Sequence, residues 1–453
     1  MRTVFTSMTS GISHRPIDTA VVVLIFVFAL VIRLAYNSNT VVDNPVRADA
    51  RKYVTYAMNL THLGIYSQDY TQNPAPDCQV TPGYPLFLAA MIATSDSFDE
   101  AYRRILFVQA LLGALTVAMA FALARSFLPT GPAGIAAGLT AISPHLITTG
   151  GYLLTETLFT TLLLGALLAL VMAAKSGKVG ILITASVCFG IAALVRPSML
   201  LFPVFIIPLV LLRWPHRNRV LTCLILICGV LICWMPWTLY SRLTVPPDSA
   251  KAGLASAAFA MGTYPDLIYK DPRYRGYPYY EDSEYQKMSS SFTYTLQVLR
   301  VRASEAPSKY LKWYTLGKPA MFWAWDILVG AGGIHIYPVI TSPYTENVLA
   351  RASSRIMELL HPILLSLTAL GLLAMIPTII RRPKSGAGTY FAPAIPYLAI
   401  LYFTLLHAAL TPLPRYAIPL KPLLYATACH AAYTAWLFIS SSRESRRVLS
   451  QQL

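Results

Sequence analysis

VRADARKYVTYAMNLTHLGIYS, residues Val46–Ser67, follows directly on the first long apolar run of the chain. Asp49 stands at its head, in the position of an N-cap. Tyr53, Ala57 and Leu60 then recur at i, i+4 and i+7, with Tyr56 and Leu63 widening the stripe. The pattern predicts an amphipathic helix lying on a membrane face, with a carboxylate at its positive end. That position favours the ionised form, so Asp49 can accept a hydrogen bond or a proton. An ordinary capping aspartate reads the same way, although Arg47 and Arg51 stand beside this one.

Working outward, the chain keeps returning to the membrane. Apolar residues make up 55% and charged residues only 12%, and many apolar runs approach the roughly 20 residues that cross a bilayer. Ten spans are predicted, near 20–36, 105–124, 132–148, 151–173, 179–195, 198–213, 219–240, 358–380, 390–410 and 416–440. The first reads as an uncleaved anchor, since no clear small-residue cleavage site follows it. Arg2, Arg15, Arg125, Lys175, Lys178, Arg213, Arg217, Arg219, Arg381, Arg382, Lys384, Arg443, Arg446 and Arg447 then share one side, the cytoplasmic one. Most acidic residues outside the spans fall on the other side, with Asp18 and Glu444 as exceptions.

The expected architecture is an all-α polytopic membrane protein with about ten transmembrane helices, juxtamembrane amphipathic helices and an outer-face loop domain. Residues 1–240 form an N-terminal membrane module whose first outer loop, 37–104, carries Asp49. Residues 241–357 form the outer-face domain, and 358–453 the C-terminal transmembrane helices and cytoplasmic tail. Lys318–Ile340 is apolar, but it holds Asp326, His335, three glycines and two prolines. Spanning would put Arg381–Lys384 outside, so this segment reads as interfacial or re-entrant. Pro82 and Pro85 suit the first turn of a short interfacial helix running to Ile92. The outer-face domain clusters Tyr264, Tyr269, Tyr274, Tyr277, Tyr279, Tyr280 and Tyr285, followed by a basic amphipathic stretch from Leu296 to Trp313.

Several classes of function fall away. Five of the six cysteines lie in apolar runs and only Cys78 in a loop, which leaves no extramembrane disulfide pair. No Cys/His spacing suggests zinc, so no metal or other cofactor is expected. The excess of Lys and Arg is first a topological signal, and nucleic acid is not an expected partner. His145, His335 and His407 read as structural, and the sequon Asn59-Leu-Thr61 falls within a predicted helix.

Glu156, in YLLTETLF, is predicted one to two turns inside the fourth span. An acid there costs about 2.5–3.5 kcal/mol on insertion scales, which marks either function or a structural hydrogen bond through Thr155 or Thr157. Arg196, Arg242, Arg415 and Lys421 all fall towards the outer side, where the positive-inside trend predicts few cations. An anionic partner such as a phosphate explains them jointly, because arginine offers phosphate a bidentate fork. Snorkelling to lipid headgroups explains any one of them equally well. Aromatic residues, including Tyr53, Tyr84, Trp237 and Tyr416, are candidates for substrate binding or for an interfacial belt.

Taken in order, ADARKYVTYAMNLTHLGIYS, PGYPLFLAAM, SPHLITTGGYLLTETLFTTLLL, LVRPSMLLFP, WMPWTLYSRL and LPRYAIPLKPLL resemble the C-type membrane glycosyltransferases. The group most similar contains the protein O-mannosyltransferases and the aminoarabinose transferase of lipid A. The resemblance implies a polyprenyl-phosphate-linked sugar donor and inverting transfer to a glycan, lipid or protein acceptor. It implies a multi-pass protein of the cell membrane, inner or plasma, acting on the non-cytoplasmic face. The family's catalytic acid maps onto Asp49. Protein mannosyltransferases often carry an Asp-Glu pair there, whereas Ala50 follows Asp49, so a protein acceptor does not carry over by analogy. On this reading Asp49 is the general base, Glu156 orients sugar or acceptor, and Arg196 and Arg415 hold the donor phosphate, with Arg51, Arg242 and Lys421 as further choices. The rivals are a flippase for a lipid-linked sugar, and an O-antigen ligase or polymerase type of transferase using a polyprenyl diphosphate. The sequence shows no internal repeat of the transporter kind.

Overall fold

A computed structural model describes residues 16–246, 254–265, 267, 277–327, 333–380 and 390–451, with side chains up to residue 441. The chain is an all-α polytopic membrane protein. Its principal helices are α1 (Pro16–Ser38), α2 (Ala48–Leu63), α3 (Gly83–Ile92), α4 (Phe98–Arg125), α5 (Thr130–Ile142), α6 (Glu156–Ser176), α7 (Val179–Val195), α8 (Arg219–Thr244), α9 (Val348–Ile380), α10 (Phe391–Ala409) and α11 (Lys421–Gln451). Helices α1, α4, α6, α8, α9 and α10 are long and apolar enough to cross a bilayer; α5, α7 and the segment Pro197–Arg213 are apolar but shorter. In the bundle, α1 packs on α4, α4 on α5 and α6, α6 on α7, and α7 on α8. On the other side α11 packs on both α5 and α9.

Where the structure departs from the sequence reading, proline and glycine are usually responsible. The third span stops at Ile142, because Pro144 cannot continue the helical ladder, and a short helix Pro144–Thr148 follows. The helix expected from residue 151 starts only at Glu156: Gly150 and Gly151 lie in a 3-10 turn, and Tyr152 is extended. Glu156 is therefore the first residue of α6, not a residue one to two turns inside it. Pro203 and Pro208 divide the sixth span into Phe202–Phe205 and Ile207–Arg213. Pro307 likewise divides the basic stretch into Phe292–Glu305 and Pro307–Lys312.

Lys318–Ile340 does not form a spanning helix among its described residues. It opens as a short helix, Lys318–Phe322, and ends in a strand. Asp326 is exposed. Tyr269, Tyr274, Arg2, Arg15, Arg381, Arg382 and Lys384 lie outside the described residues, as do the side chains of Arg443, Glu444, Arg446 and Arg447.

Two local devices fix the first loop. Strand β1 (Val41–Val42) pairs antiparallel with β2 (Val339–Thr341), and Asp43 N–H donates to the Pro338 carbonyl at 2.9 Å. This ties the chain just before α2 to a segment almost 300 residues later. At the start of α3, a Cβ on Gly83 would stand 2.6 Å from the backbone of Leu194 and Val195. Glycine is what lets α3 rest on the end of α7, next to Arg196. All six cysteines are free thiols.

Candidate active site

Helix α2 starts two residues earlier than the sequence suggests. Arg47 is its N-cap without a side-chain cap, and Asp49 lies in the first turn. Ala48 enters the helix at φ +45°, a left-handed conformation that a residue with a Cβ rarely adopts and that often marks a functional position. Ala50, Val54, Thr55, Tyr56 and Ala57 form the buried face, while Leu63, expected on that stripe, is exposed. Its position in the turn frees the Asp49 carboxylate from capping backbone. It binds the Arg415 guanidinium instead, through Oδ2 and Nη2.

A chain of alternating charge runs on from there. Arg415 Nε lies 3.9 Å from Glu156 Oε1, and the same oxygen lies 2.5 Å from Arg196 Nη2. Arg196 Nε donates to Thr155 Oγ1 at 2.7 Å. Between the two arginines sits Tyr416, whose ring centroid is 5.6 Å from the Arg196 guanidinium and 5.4 Å from that of Arg415. Phe159 flanks Arg196 at 5.5 Å. Both guanidiniums thus lie over aromatic rings, an arrangement worth more when desolvated. Two carboxylates alternate with two guanidiniums, drawn from α2, the start of α6, the turn after α7 and the 3-10 turn Pro414–Leu420.

The site is charged but incompletely bonded. The Glu156 side chain is 1% exposed, yet neither of its oxygens has a hydrogen-bond partner, because the contact with Arg196 is misaligned for one. Arg415 Nε is also buried without a partner. Buried polar atoms are seldom left in this state, so such a cluster is a place for a polar ligand. The Arg415 charge holds the Asp49 carboxyl below its usual range, against the opposing effect of burial, with Lys52 and Arg196 adding to the depression. For Arg415, burial disfavours the charge, but Asp49 and Glu156 outweigh it and raise the pKa. At neutral pH Asp49 is an ionised acceptor, about a third of its side chain open to solvent.

The structure brings Asp49, Glu156, Arg196, Arg415 and Tyr416 together. Tyr53 lies close enough for Asp49 to act on it: burial raises its phenol pKa first, and the Asp49 charge raises it further. Tyr84 meets Tyr53 edge-on at 5.2 Å and is fully buried, its hydroxyl donating to Gln109 Oε1 at 3.1 Å. The remaining candidates have other contacts. Arg51 is exposed and stacks over Tyr70 at 5.3 Å. Trp237 stacks on Tyr240 at 5.7 Å and meets Tyr66 at 5.2 Å, and Arg242 is exposed at the end of α8. Lys421 lies over Trp325, 5.0 Å from its centroid.

The three histidines have plain structural contacts: His145 Nε2 with the Trp325 carbonyl at 2.8 Å, His335 Nε2 with Ser342 Oγ at 3.3 Å and His407 Nδ1 with the Thr411 carbonyl at 2.9 Å. The amide of Asn59 donates to the Ser67 and Asp69 carbonyls at 2.9 and 2.8 Å. Among the described residues no group of three or more His, Cys, Asp or Glu side chains converges as metal ligands would.

One neighbour escaped the sequence reading. Tyr337 Oη accepts a hydrogen bond from Ala50 N–H at 3.3 Å, and Arg47 lies 5.8 Å from the centroid of its ring. It arrives through the β1–β2 pairing, a long-range contact without a local signature.

Residues 80–240 match the family described as dolichyl-phosphate-mannose-protein mannosyltransferase. The resemblance to the C-type membrane glycosyltransferases is borne out. The family match covers about a third of the chain and includes Glu156 and Arg196, while Asp49 and Arg415 lie outside it. Among solved structures, the chain is similar to the Archaeoglobus fulgidus oligosaccharyltransferase in complex with zinc and sulfate. There the identity is 13%, the match covers 92% of this chain and 50% of that one, and the TM-score is 0.49. It is also similar to ArnT from Cupriavidus metallidurans bound to undecaprenyl phosphate, at 13% identity over 91% of this chain and 60% of that one, with a TM-score of 0.42. The chain spans about half the length of the archaeal protein. No curated protein matches the sequence.

Proposed function

We propose that this protein is a membrane glycosyltransferase that moves a sugar from a polyprenyl-phosphate donor to an acceptor hydroxyl or phosphate on the non-cytoplasmic face. The observation that carries the reading is the buried, incompletely bonded chain Asp49–Arg415–Glu156–Arg196 beneath the start of a surface helix. The family matched by residues 80–240 takes its description from a sugar on a polyprenyl phosphate, which supports that donor class.

For a hydroxyl acceptor, the oxygen forms its bond to the anomeric carbon while the bond from that carbon to the phosphate oxygen breaks. The acceptor's proton passes to the Asp49 carboxylate, which Arg415 keeps ionised and available as a general base. Attack opposite the leaving group inverts the anomeric centre. The polyprenyl phosphate leaves as an anion, and the developing charge falls where Arg415 and Arg196 lie. A guanidinium has five N–H donors, so Arg415 can keep Asp49 on Nη2 and offer Nε, which is unpartnered, to a phosphate oxygen. Glu156, with both oxygens free to accept, orients a sugar or acceptor hydroxyl. No residue in this account needs a metal.

The test is donor consumption. Purified full-length protein in vesicles loaded with radiolabelled polyprenyl-phosphate sugar should release the sugar by transfer or slow hydrolysis, and Asp49→Asn should abolish that release. Labelled lipid that only changes leaflet, with no cleavage by wild type, would replace the transferase reading with a flippase.

A further inference from the structure

The first span carries a buried cation that the proposed reaction does not use. Arg33, in the last third of α1, is 2% exposed. Its Nη1 donates to the Ala29 carbonyl at 3.1 Å and to the Ala141 carbonyl at 3.4 Å. Its Nε and Nη2 have no hydrogen-bond partner, and none of the ion pairs among the described residues includes it. A guanidinium left without a counter-charge inside a helical bundle is strongly unfavourable. The usual remedy, a carboxylate on a neighbouring helix, is not within ion-pair distance among the described residues.

Arg33 lines a small cavity, walled otherwise by Gly113, Thr116, Leu146, Thr149, Thr157 and Thr160. The cavity is about 10 Å³, room for a single occupant only. Three of the threonine hydroxyls already donate to backbone carbonyls: Thr116 to Leu112 at 2.9 Å, Thr149 to Leu146 at 3.4 Å and Thr160 to Glu156 at 2.6 Å. Thr157 Oγ1 has no partner. The unsatisfied groups on the cavity wall are thus two guanidinium N–H sites and a hydroxyl able to donate. Thr157 also lies in the first turn of the 21-residue helix α6, whose positive end favours an anion. Gly113 makes the arrangement possible, since a Cβ there would stand 2.5 Å from Arg33 Nε.

We infer that this cavity is a halide site, holding a single chloride-sized anion between Arg33 Nε, Arg33 Nη2 and Thr157 Oγ1. A water molecule could accept the same hydrogen bonds but would leave the arginine's charge uncompensated. Phosphate and sulfate are too large for the space. The bound ion would serve as the counter-ion that lets α1 carry an arginine against α4 and the start of α6, one residue beyond Glu156.

The experiment uses the full chain in detergent, purified in sodium gluconate and titrated with sodium bromide at constant ionic strength. The melting temperature of wild type should rise saturably with bromide. Crystals grown in bromide should show one anomalous peak beside Arg33. Arg33→Met, which replaces the charged arm with an apolar one of similar reach, and Gly113→Ala, which pushes the guanidinium aside, should both flatten the titration. If either fails to fold, Thr157→Val serves instead: it removes one hydroxyl and should weaken half-saturation about tenfold, the value of one good hydrogen bond. A wild-type titration as flat as in gluconate, with no anomalous peak, would overturn the inference in favour of water alone. An equal rise in wild type and Arg33→Met would overturn it as a general salt effect.

Discussion

Asp49–Arg415 and Asp282–Arg302 join the same two residue types, both outside the predicted spans, and they are built to opposite effect. In the second pair every group is answered. Asp282 Oδ2 accepts from Arg302 Nη2 and from the Tyr264 hydroxyl, each at 2.6 Å, and Oδ1 accepts from Glu284 N–H at 2.9 Å. The Arg302 guanidinium lies 5.4 Å from the centroid of the Tyr264 ring, and Tyr279 and Tyr285 stack beside it at 4.6 Å from each other. Around the first pair the bonding stops short: Arg415 Nε and both oxygens of the neighbouring Glu156 have no hydrogen-bond partner. Residue type and charge alone do not separate a fastener from a reaction centre. The balance of donors and acceptors does.

The largest effect that can break this comparison is on turnover. Asp49→Asn is expected to lower donor turnover about 10²–10⁴-fold, the range for losing a general base. A comparable loss of turnover in Asp282→Asn would erase the distinction.

Next comes the pH profile. Because the Arg415 charge holds the Asp49 carboxyl down, Arg415→Gln should let it protonate at higher pH. The acid limb of log kcat/KM should then move up in pH, and an unmoved limb would mean that another group titrates there. The sign for stability follows from the same depression. Asp49 contributes above the carboxyl pKa of the unfolded chain, and the contribution is lost as pH falls through the lower folded value.

Smaller effects should appear on the other side of the comparison. Asp282→Asn is expected to destabilise the fold by about 1–3 kcal/mol, as for hydrogen bonds to a charged group, while turnover stays at the wild-type level. Tyr264→Phe removes one of those bonds and should cost about 0.5–1.5 kcal/mol, read by thermal or denaturant unfolding. A drop in turnover without a loss of stability in either variant would move the tyrosine cluster into the site.

Much of the fold was legible because the membrane imposes a coarse code. Each predicted span corresponds to helical structure, and the segment Lys318–Ile340 was separated from the spans by its charges and glycines. The ends were less legible. Glu156 shifted to the first position of α6 because two glycines interrupt the helix before it, and hydropathy averages across such breaks. Of the site, Asp49 and the two arginines stood out as charges in unusual places. Tyr337 had no such mark, since a strand pair joining segments almost 300 residues apart delivers it.

By itself the sequence determined the class of molecule, the course of its helices and a short set of candidate charges, since hydropathy, charge bias and proline act locally along a chain. Tertiary structure alone decided which charges meet. It joined Asp49 to Arg415 across 366 positions and Glu156 to Arg196, sent Arg51, Trp237 and Lys421 to other contacts, and left Arg242 exposed. Partnership depends on distance and angle between side chains on different helices. Those are fixed by how the helices pack, down to a glycine such as Gly83 that allows two backbones to touch.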